Sequence, residues 1–202
     1  MEKIEAVIFD WGGVLIDDPA PGLMQFCANA LGVPKEIYIK AHRKFAPDFQ
    51  TGKISEDAFW ADICGELEIP TPKEHSLWYP AFKAAYSPKP DMFALARSLQ
   101  GNGYKTGFLS NTEIPAVRLF LEQKYDMFDV LVFSCIEGAK KPDRKIYELT
   151  VERLCVEPQQ AVFIDDRLDC IDGANAAGLK TIFFESVEQV KNELHRLGVK
   201  TT

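Results

Sequence analysis

The sequence is short of the residues that build metal clusters and disulfide frameworks. Its 202 residues include three histidines and five cysteines, and no two cysteines form a Cys-x-x-Cys pair. Structural zinc sites and disulfide-rich folds need closely spaced, paired ligands, and an odd number of cysteines cannot all pair. We therefore predict that the cysteines are reduced and mostly buried, and that the histidines share no metal.

Long apolar runs and an excess of positive charge are also missing. The first apolar run ends at Asp10, too early for a membrane-spanning helix or a signal peptide, so we expect a cytoplasmic protein without a membrane partner. The formal net charge is −7, and nucleic-acid binding needs a basic face, so we predict no nucleic-acid partner. A few cations in a pocket could still bind a small anionic substrate.

The sequence does contain an alternation of strand and helix patterns. Five short apolar runs predict buried parallel strands, at residues 4–9, 104–109, 130–134, 161–164 and 180–184. Helical patterns accompany the later strands, at residues 91–100, 115–123, the stretch after Pro142, 169–177 and 187–197. This alternation predicts an α/β fold with right-handed crossovers and a doubly wound parallel sheet.

Residues 17–88 interrupt the alternation with helical patterns only. Four stretches have a helical spacing or composition, near residues 23–31, 35–46, 59–67 and 73–86. Ser55, a common type of N-terminal cap, precedes the third of them. We therefore predict an all-helical insertion at 17–88 in an α/β core that comprises residues 1–16 and 89–202.

Polar residues follow four of the predicted strands, at the edge where an open parallel sheet binds its ligands. They are Asp10, Ser110, Asn111, Lys140, Lys141, Asp165 and Asp166. Any one of them could simply cap a turn or a helix. Together they would place a carboxylate nucleophile, a hydroxyl donor, an ammonium group and an acidic pair in one crevice, a set that favours phosphoryl transfer.

The acidic residues also predict a metal ion. Asp10, Asp165 and Asp166 would supply the oxygen ligands that Mg²⁺ prefers, and Mg²⁺ usually keeps several waters, so few carboxylates suffice. Lys141 would neutralise the charge of the phosphoryl oxygens, and Ser110 would donate a hydrogen bond to them.

These residues lie in four motifs whose order and strand contexts resemble those of the haloacid dehalogenase superfamily of hydrolases. The motifs are Phe9-Asp10-Trp11-Gly12-Gly13-Val14-Leu15, Leu109-Ser110-Asn111-Thr112, Lys141-Pro142-Asp143 and Ile164-Asp165-Asp166. The helical insertion falls where this family carries its C1 cap, a helical bundle. The stretch from Lys141 to Tyr147 and the acidic pair further resemble epoxide hydrolase N-terminal phosphatases and sugar-phosphate phosphatases.

The resemblance implies a Rossmann-like core with an inserted cap. It also implies a Mg²⁺-dependent phosphomonoester phosphatase that acts on a small phosphorylated metabolite. Asp10 would be the nucleophile that forms an aspartyl-phosphate, with Lys141 as the second catalytic residue. Ser110, Asn111 and Lys141 would bind the phosphate. The metal ligands would be Asp10, the main-chain carbonyl of Gly12, Asp166 and, through a bound water, Asp165.

Gly12 departs from the family pattern, because phosphatases of this family usually carry there an aspartate that protonates the leaving group. Such an acid typically contributes about 10²–10⁴-fold to the rate. One function left open is a phosphatase for leaving groups that need little protonation, such as anomeric sugar phosphates or acyl phosphates. A metal-independent 2-haloacid dehalogenase is another, against which the acidic pair argues. A third is a catalytically weak protein that binds a phosphorylated ligand.

Several neighbours of the motifs are predicted to take no part in the chemistry. Asp17 and Asp18 could replace the missing acid, although a solvated turn before Pro19 explains them more simply. Lys140 should be a solvated neighbour of Lys141. The remaining candidates should pack in the interior: Trp11 and, in the insertion, Trp60, Trp78, Phe82 and Tyr86. The alternative for the aromatic residues of the insertion is that some of them face the active site and select substrates.

Overall fold

The computed structural model of the chain describes residues 2–72 and 76–201. Within them, one sheet is formed by five parallel strands: β1 (Ala6–Phe9), β2 (Lys105–Ser110), β3 (Val130–Phe133), β4 (Ala161–Asp165) and β5 (Lys180–Phe183). Each strand begins and ends within about two residues of its predicted bounds, because each short apolar run forms one buried strand.

Four inserted helices follow β1: α1 (Ala20–Leu31), α2 (Lys35–Gln50), α3 (Glu56–Leu67) and α4 (Trp78–Ala85). The later helices are α5 (Pro90–Gly101), α6 (Ile114–Glu122), α7 (Ser134–Glu137), α8 (Arg144–Leu154), α9 (Leu168–Ala176) and α10 (Val187–Arg196), with a 3-10 turn at Pro158–Gln160. The helix predicted near 73–86 includes residues 73–75, which lie outside the described residues. No helix in the described ranges is both long and apolar enough to cross a bilayer.

The strand order β3-β2-β1-β4-β5 places β1 at the centre of the sheet. Phe9 pairs with Phe108 on β2 and with Ile164 on β4, so the carboxyl ends of these three strands lie side by side. From β1 the chain runs outwards through β2 and β3 on one side and through β4 and β5 on the other. Ligands of open α/β sheets bind at such a reversal of strand order, which here falls beside Asp10.

Helices cover both faces of the sheet. Along β1, Ala6 and Ile8 belong to a core that includes residues of α8 and α9. Val7 and Phe9 belong to a second core that includes residues of α5, α6 and α10. Successive side chains of a strand point to opposite faces, so these two cores lie on either side of the sheet. The predicted doubly wound α/β fold is confirmed.

The inserted helices share the second core with the sheet. Phe49 stacks on Phe59 with ring centroids 4.4 Å apart, and Trp78 lies edge-on to Phe59 at 5.7 Å. Trp11 is buried and packs on Phe82 of α4 at 4.8 Å. Trp11, Trp60, Trp78 and Phe82 are buried as predicted, whereas Tyr86 is half-buried.

Two local predictions from the sequence also hold. The Ser55 hydroxyl caps α3, since its oxygen accepts a hydrogen bond from the main-chain N–H of Ala58 at 3.2 Å. All five cysteines are free thiols, and Cys155 is the one that is exposed.

Helix α2 extends past the predicted end at residue 46 and across Pro47 to Gln50. Proline has a low helix propensity, but the burial of Phe49 against α3 outweighs it in this last turn. The hydroxyl of Ser134, at the start of α7, then donates a hydrogen bond to the carbonyl of Gln50 at 2.6 Å. The end of α2 therefore lies against the loops at the carboxyl edge of the sheet.

The chain leaves the sheet for the inserted helices and returns from them at one place. The N–H of Asp17 donates to the carbonyl of Ser87 at 2.8 Å, and the N–H of Lys89 donates to the carbonyl of Leu15 at 2.9 Å. Ile16 forms an isolated antiparallel bridge with Pro88 between these two bonds. The division into an α/β core (1–16 and 89–202) and a helical cap (17–88) stays an interpretation, and these bonds are consistent with it.

Candidate active site

Six of the seven predicted site residues line one cavity of about 300 Å³ at the carboxyl ends of the strands. They are Asp10, Gly12, Ser110, Asn111, Lys141 and Asp166. The seventh, Asp165, is fully buried and contacts Lys141. The parallel register of β2, β1 and β4 brings the four motifs together, because their strands all end at the same edge.

Lys141 is the electrostatic centre of the site. Its ammonium nitrogen lies 2.7 Å from Asp10 Oδ1 and 2.6 Å from Asp165 Oδ2, and the side chain is almost completely buried. Burial alone would lower the pKa of Lys141, but the two carboxylates more than offset it and raise the pKa above its ordinary value. Lys141 is therefore a fixed positive charge between two acids.

Asp10 follows β1 directly and continues its pairing, since its N–H donates to the carbonyl of Ile164 at 3.0 Å. Burial, together with the charge of Asp165, raises the pKa of Asp10 to about 7, although Lys141 opposes this shift. The main chain of Asp10 is thus fixed by the sheet, while its carboxylate faces the cavity and Lys141.

The three aspartates form a cluster that suits a hard cation. One oxygen from each of Asp10, Asp165 and Asp166 lies within 4.8 Å of the other two. Asp165 already accepts hydrogen bonds at both oxygens, from the Lys141 ammonium and from the N–H of Arg167 at 2.8 Å. Burial and the charge of Asp165 raise the pKa of Asp166. Carboxylate oxygens are the donors that Mg²⁺ prefers, so this donor set fits the predicted metal.

Gly13 makes room for this cluster. Its φ is +87°, a left-handed backbone conformation, and a Cβ atom at this position would overlap the carboxylate of Asp166. Glycine is therefore required here both by the backbone conformation and by the approach of Asp166.

Asn111 and Ser110 follow β2 and have different surroundings. The Asn111 side-chain amide donates to the carbonyl of Lys141 and accepts from the N–H of Lys141, both at 2.8 Å. This pair of bonds holds the Lys141 loop against the end of β2. Ser110 is buried and lines the cavity next to it. Direct phosphate binding by Ser110 and Asn111 stays a prediction.

Glu113, one residue beyond the second motif, is a cavity residue that the sequence did not single out. Its side chain is 4% exposed, and Oε2 accepts a hydrogen bond from Trp78 Nε1 at 2.9 Å. Burial raises the pKa of Glu113 to about 7, although hydrogen bonds from Gln50 and Trp78 oppose the shift. This buried carboxyl group joins the core loop to the ends of α2 and α4.

His42 of α2 also lines the cavity. Its ring stacks on Trp78, with parallel planes and centroids 5.6 Å apart. Burial lowers the pKa of His42 to about 4, so the imidazole is neutral near pH 7. Its Nε2 atom is buried and has no hydrogen-bond partner among the described residues.

The prediction for Lys140 was wrong in one respect. Lys140 is half-buried, and its ammonium nitrogen lies 3.4 Å from the side-chain oxygen of Gln50, so it is not simply solvated. Its positive charge also lowers the pKa of Glu113. Lys140 therefore faces the inserted helices, whereas Lys141 faces the acidic cluster.

The two acids before Pro19 have separate surroundings. Asp17 is exposed and pairs with Lys89 at 3.0 Å. Asp18 lines the cavity, and its carboxylate accepts a hydrogen bond from the N–H of Ala20 at 3.0 Å at the start of α1. A Cβ atom at Gly12 would lie 3.1 Å from the Pro19 ring, so the segment with Asp18 passes close to Gly12.

The sequence matches a known family along most of its length. The model of the haloacid dehalogenase-like hydrolases matches residues 4–178, which include all four motifs. A mouse protein, acyl-CoA dehydrogenase family member 10, is 30% identical over 95% of this chain, which spans 19% of the length of that protein. The sesquiterpene phosphatase astK of Aspergillus oryzae is 26% identical, and the match covers 87% of each chain.

Solved structures have the same fold. A HAD family enzyme from Bacteroides thetaiotaomicron superposes with a TM-score of 0.80 at 18% identity, over 96% of this chain and 99% of that one. The same enzyme in complex with magnesium and inorganic phosphate superposes with a TM-score of 0.73 at 19% identity, over 90% of this chain and 94% of that one. At this level of identity the similarity extends to the fold alone.

Proposed function

Because the chain belongs to the haloacid dehalogenase-like hydrolase family, we propose that it is a Mg²⁺-dependent phosphatase of small phosphate monoesters that works through an aspartyl-phosphate on Asp10. The observation that carries the proposal is the buried ammonium of Lys141 between Asp10 and Asp165, beside the three-aspartate cluster. The phosphatase relative and the neighbour solved with magnesium and phosphate support a phosphorylated substrate.

The metal ligands in this proposal are Asp10, Asp166 and the main-chain carbonyl of Gly12, with Asp165 acting through a bound water. All of these donors are oxygens, and at least two waters would complete the shell, as is usual for Mg²⁺. When bound, the ion would help to neutralise the charge of the phosphoryl oxygens.

In the proposed reaction, a carboxylate oxygen of Asp10 attacks phosphorus in line with the leaving oxygen. A bond forms between Asp10 and phosphorus, while the bond to the leaving oxygen breaks and leaves its electron pair on that oxygen, which then takes up a proton. Lys141 and Ser110 hold the phosphoryl oxygens during this exchange. Water then attacks the aspartyl-phosphate, which releases inorganic phosphate and restores the Asp10 carboxylate.

The leaving group must gain its proton without help from residue 12, because Gly12 has no side chain. Substrates whose leaving group needs little protonation, such as anomeric sugar phosphates and acyl phosphates, suit this arrangement. Asp18, which lines the cavity close to Gly12, is the carboxylate that could replace the missing acid.

A metal-independent 2-haloacid dehalogenase is the alternative for the same nucleophile. In that reaction Asp10 would attack carbon and displace halide, and no acidic metal cluster is needed. The cluster of Asp10, Asp165 and Asp166 therefore favours the phosphatase. A protein that binds a phosphorylated ligand with little turnover is the third possibility, to be distinguished by experiment.

Phosphate release from a panel of esters, with and without Mg²⁺, tests the proposal. The panel includes sugar 1-phosphates, acetyl phosphate and phenyl phosphate. We expect Mg²⁺-dependent turnover by the wild type and a loss of about 10⁴-fold or more in Asp10→Asn, since this variant lacks the nucleophile. Asp126→Asn is the matched control, because Asp126 is exposed and pairs with Arg97 away from the cavity.

Other outcomes would overturn the phosphatase. Chloride release from 2-chloroacetate that does not depend on Mg²⁺ would establish the dehalogenase. If no ester is hydrolysed although calorimetry shows that Mg²⁺ binds, the binding protein is the better description.

A further inference from the structure

The side chains that line the cavity form two groups. The strand-end group comprises Asp10, Ser110, Lys141 and Asp166, and it contains the charges that the proposed phosphatase uses. The helix-side group comprises His42, Gln50, Trp78 and Glu113, and its members contact one another through ring stacking and hydrogen bonds. Because the first group would hold the phosphate, the second group is available to contact the rest of the substrate.

Glu113 is a polar residue of the helix-side group, and the proposed reaction does not use it. Burying a carboxyl group costs free energy unless hydrogen bonds compensate for it. Trp78 and Gln50 donate to it from the inserted helices, and the nearby cation Lys140 contacts Gln50. A carboxyl group has lone pairs for about four hydrogen bonds, so these partners leave it able to bind a ligand group in the cavity.

The cavity is also lined by the charged residues Asp18 and Arg167, but the imidazole and the apolar side chains of the inserted helices carry no formal charge near pH 7. His42 is a neutral imidazole, and its buried Nε2 has no partner in the described part of the chain. The apolar lining residues Leu23, Met24 and Phe82 complete this side of the cavity. A cavity of about 300 Å³ is at the small end of the range for ligand pockets, so a long hydrocarbon chain would not fit.

We propose that Glu113 is a specificity-determining residue that hydrogen-bonds to hydroxyl groups of the leaving alcohol, so that hydroxyl-bearing phosphate esters are preferred over hydrocarbon esters. The proposal rests on the phosphatase function. Trp78 and Gln50 are positioning residues, since they hold that group towards the cavity.

The simpler explanation is that Glu113 only ties the inserted helices to the core. The chain offers a matched residue for this comparison. Glu122, the last residue of α6, accepts a hydrogen bond from the hydroxyl of Tyr79 on α4 at 2.6 Å. Unlike Glu113, which directly precedes α6, it is exposed and does not line the cavity. A purely structural role would make Glu113→Gln and Glu122→Gln behave alike towards different substrates.

The experiment compares kcat/KM for α-D-glucose 1-phosphate and for phenyl phosphate, which has no hydroxyl group. We expect Glu113→Gln to lose about tenfold more on glucose 1-phosphate than on phenyl phosphate, mainly through KM, since about one hydrogen bond to the leaving group is lost or weakened. Glu122→Gln should keep the wild-type ratio. An unchanged ratio in Glu113→Gln, or a wild type that prefers phenyl phosphate or an isoprenyl phosphate, would overturn the proposal.

Binding to the Asp10→Asn variant separates this proposal from the proposed function. Calorimetry with glucose 1-phosphate should show about tenfold weaker binding when Glu113→Gln is added, whether or not the wild type hydrolyses any ester. If the wild type hydrolyses no ester but Glu113→Gln still weakens glucose 1-phosphate binding about tenfold, the phosphatase function alone is refuted. If the wild type hydrolyses esters but Glu113→Gln does not weaken glucose 1-phosphate binding, the role of Glu113 alone is refuted.

Discussion

The two groups of cavity residues are held in place in different ways. The strand-end group is fixed through its main chain: Asp10 continues the sheet pairing, and the main-chain N–H and carbonyl of Lys141 bond to the side-chain amide of Asn111. The helix-side group is fixed by side chains from segments far apart in sequence, as in the bond between Trp78 and Glu113. The residues that we propose to react therefore depend on short motifs at strand ends, whereas those that we propose to face the leaving alcohol depend on how the inserted helices pack.

The largest expected effect concerns the strand-end group. Lys141→Met should abolish measurable phosphatase activity and lower the free energy of unfolding by about 3–5 kcal/mol, because two buried carboxylates lose their cation. Urea unfolding and phosphate release measure these effects. Lys140→Met is the control and should cost less than about 1 kcal/mol. Similar losses in the two variants would show that the acidic cluster does not depend on Lys141.

The next effect concerns the helix-side group and depends on pH. The pKa of Glu113 rises from 4.5 to about 7 on folding, so its carboxyl group binds a proton more tightly in the folded state. The contribution of Glu113 protonation to the free energy of unfolding is therefore fully present below pH 4.5 and is lost as the pH rises through 7. Relative to Glu113→Gln, the wild type should lose about 3 kcal/mol of stability across this range.

Urea unfolding of both proteins between pH 4.5 and 8 would measure this difference. The groups that face Glu113 are Trp78 and Gln50 of the inserted helices and Lys140 of the core, and its charge also raises the pKa values of Cys135 and Tyr38. A constant difference between the two proteins would show that Glu113 keeps an ordinary pKa in the fold.

The smallest effect on stability is expected for substitutions of glycine, which distinguish a loss of metal ligands from backbone strain. Gly13→Ala should weaken Mg²⁺ binding by about 10–100-fold, because the new methyl group displaces Asp166. Gly32→Ala is the control, since Gly32 also has a positive φ of 67° but has no atom near the added Cβ. Gly32→Ala should cost about 1–2 kcal/mol of stability for its left-handed conformation, and Gly13→Ala at least as much, since Asp166 must also move. Equal Mg²⁺ affinity in both variants would argue against Asp166 as a ligand.

The sequence predicted the fold and the strand-end group well, because both follow from local patterns. The first and fourth apolar runs end at Asp10 and Asp165, and the parallel pairing of β1 with β4 brings these two ends side by side. The apolar pattern predicted the end of β3 less accurately. Ser134 was predicted as strand but begins α7, a short helix with too few residues to show a periodicity.

The helix-side group could not be predicted in the same way. Gln50 lies beyond Pro47, where a helix normally ends, and its position depends on the burial of Phe49. Glu113 at the start of α6 looks like an ordinary helix-terminal acid, and Pro115 just after it does mark that helix start. Its burial comes from Trp78 and Gln50, which pack over it only in the folded chain.

The hydrogen-bonded crossing of residues 15–17 with 87–89 has a consequence for how such a molecule can change. Because the two ends of the inserted segment are hydrogen-bonded to each other, the segment leaves and rejoins the α/β core at adjacent positions, as a tight turn would. An insertion whose ends are adjacent can be lengthened, shortened or exchanged at little cost in loop-closure entropy and without strain on the sheet. The strand-end group and the cavity residues of the inserted helices can therefore diverge independently, since the sheet constrains the first and leaves the second largely free.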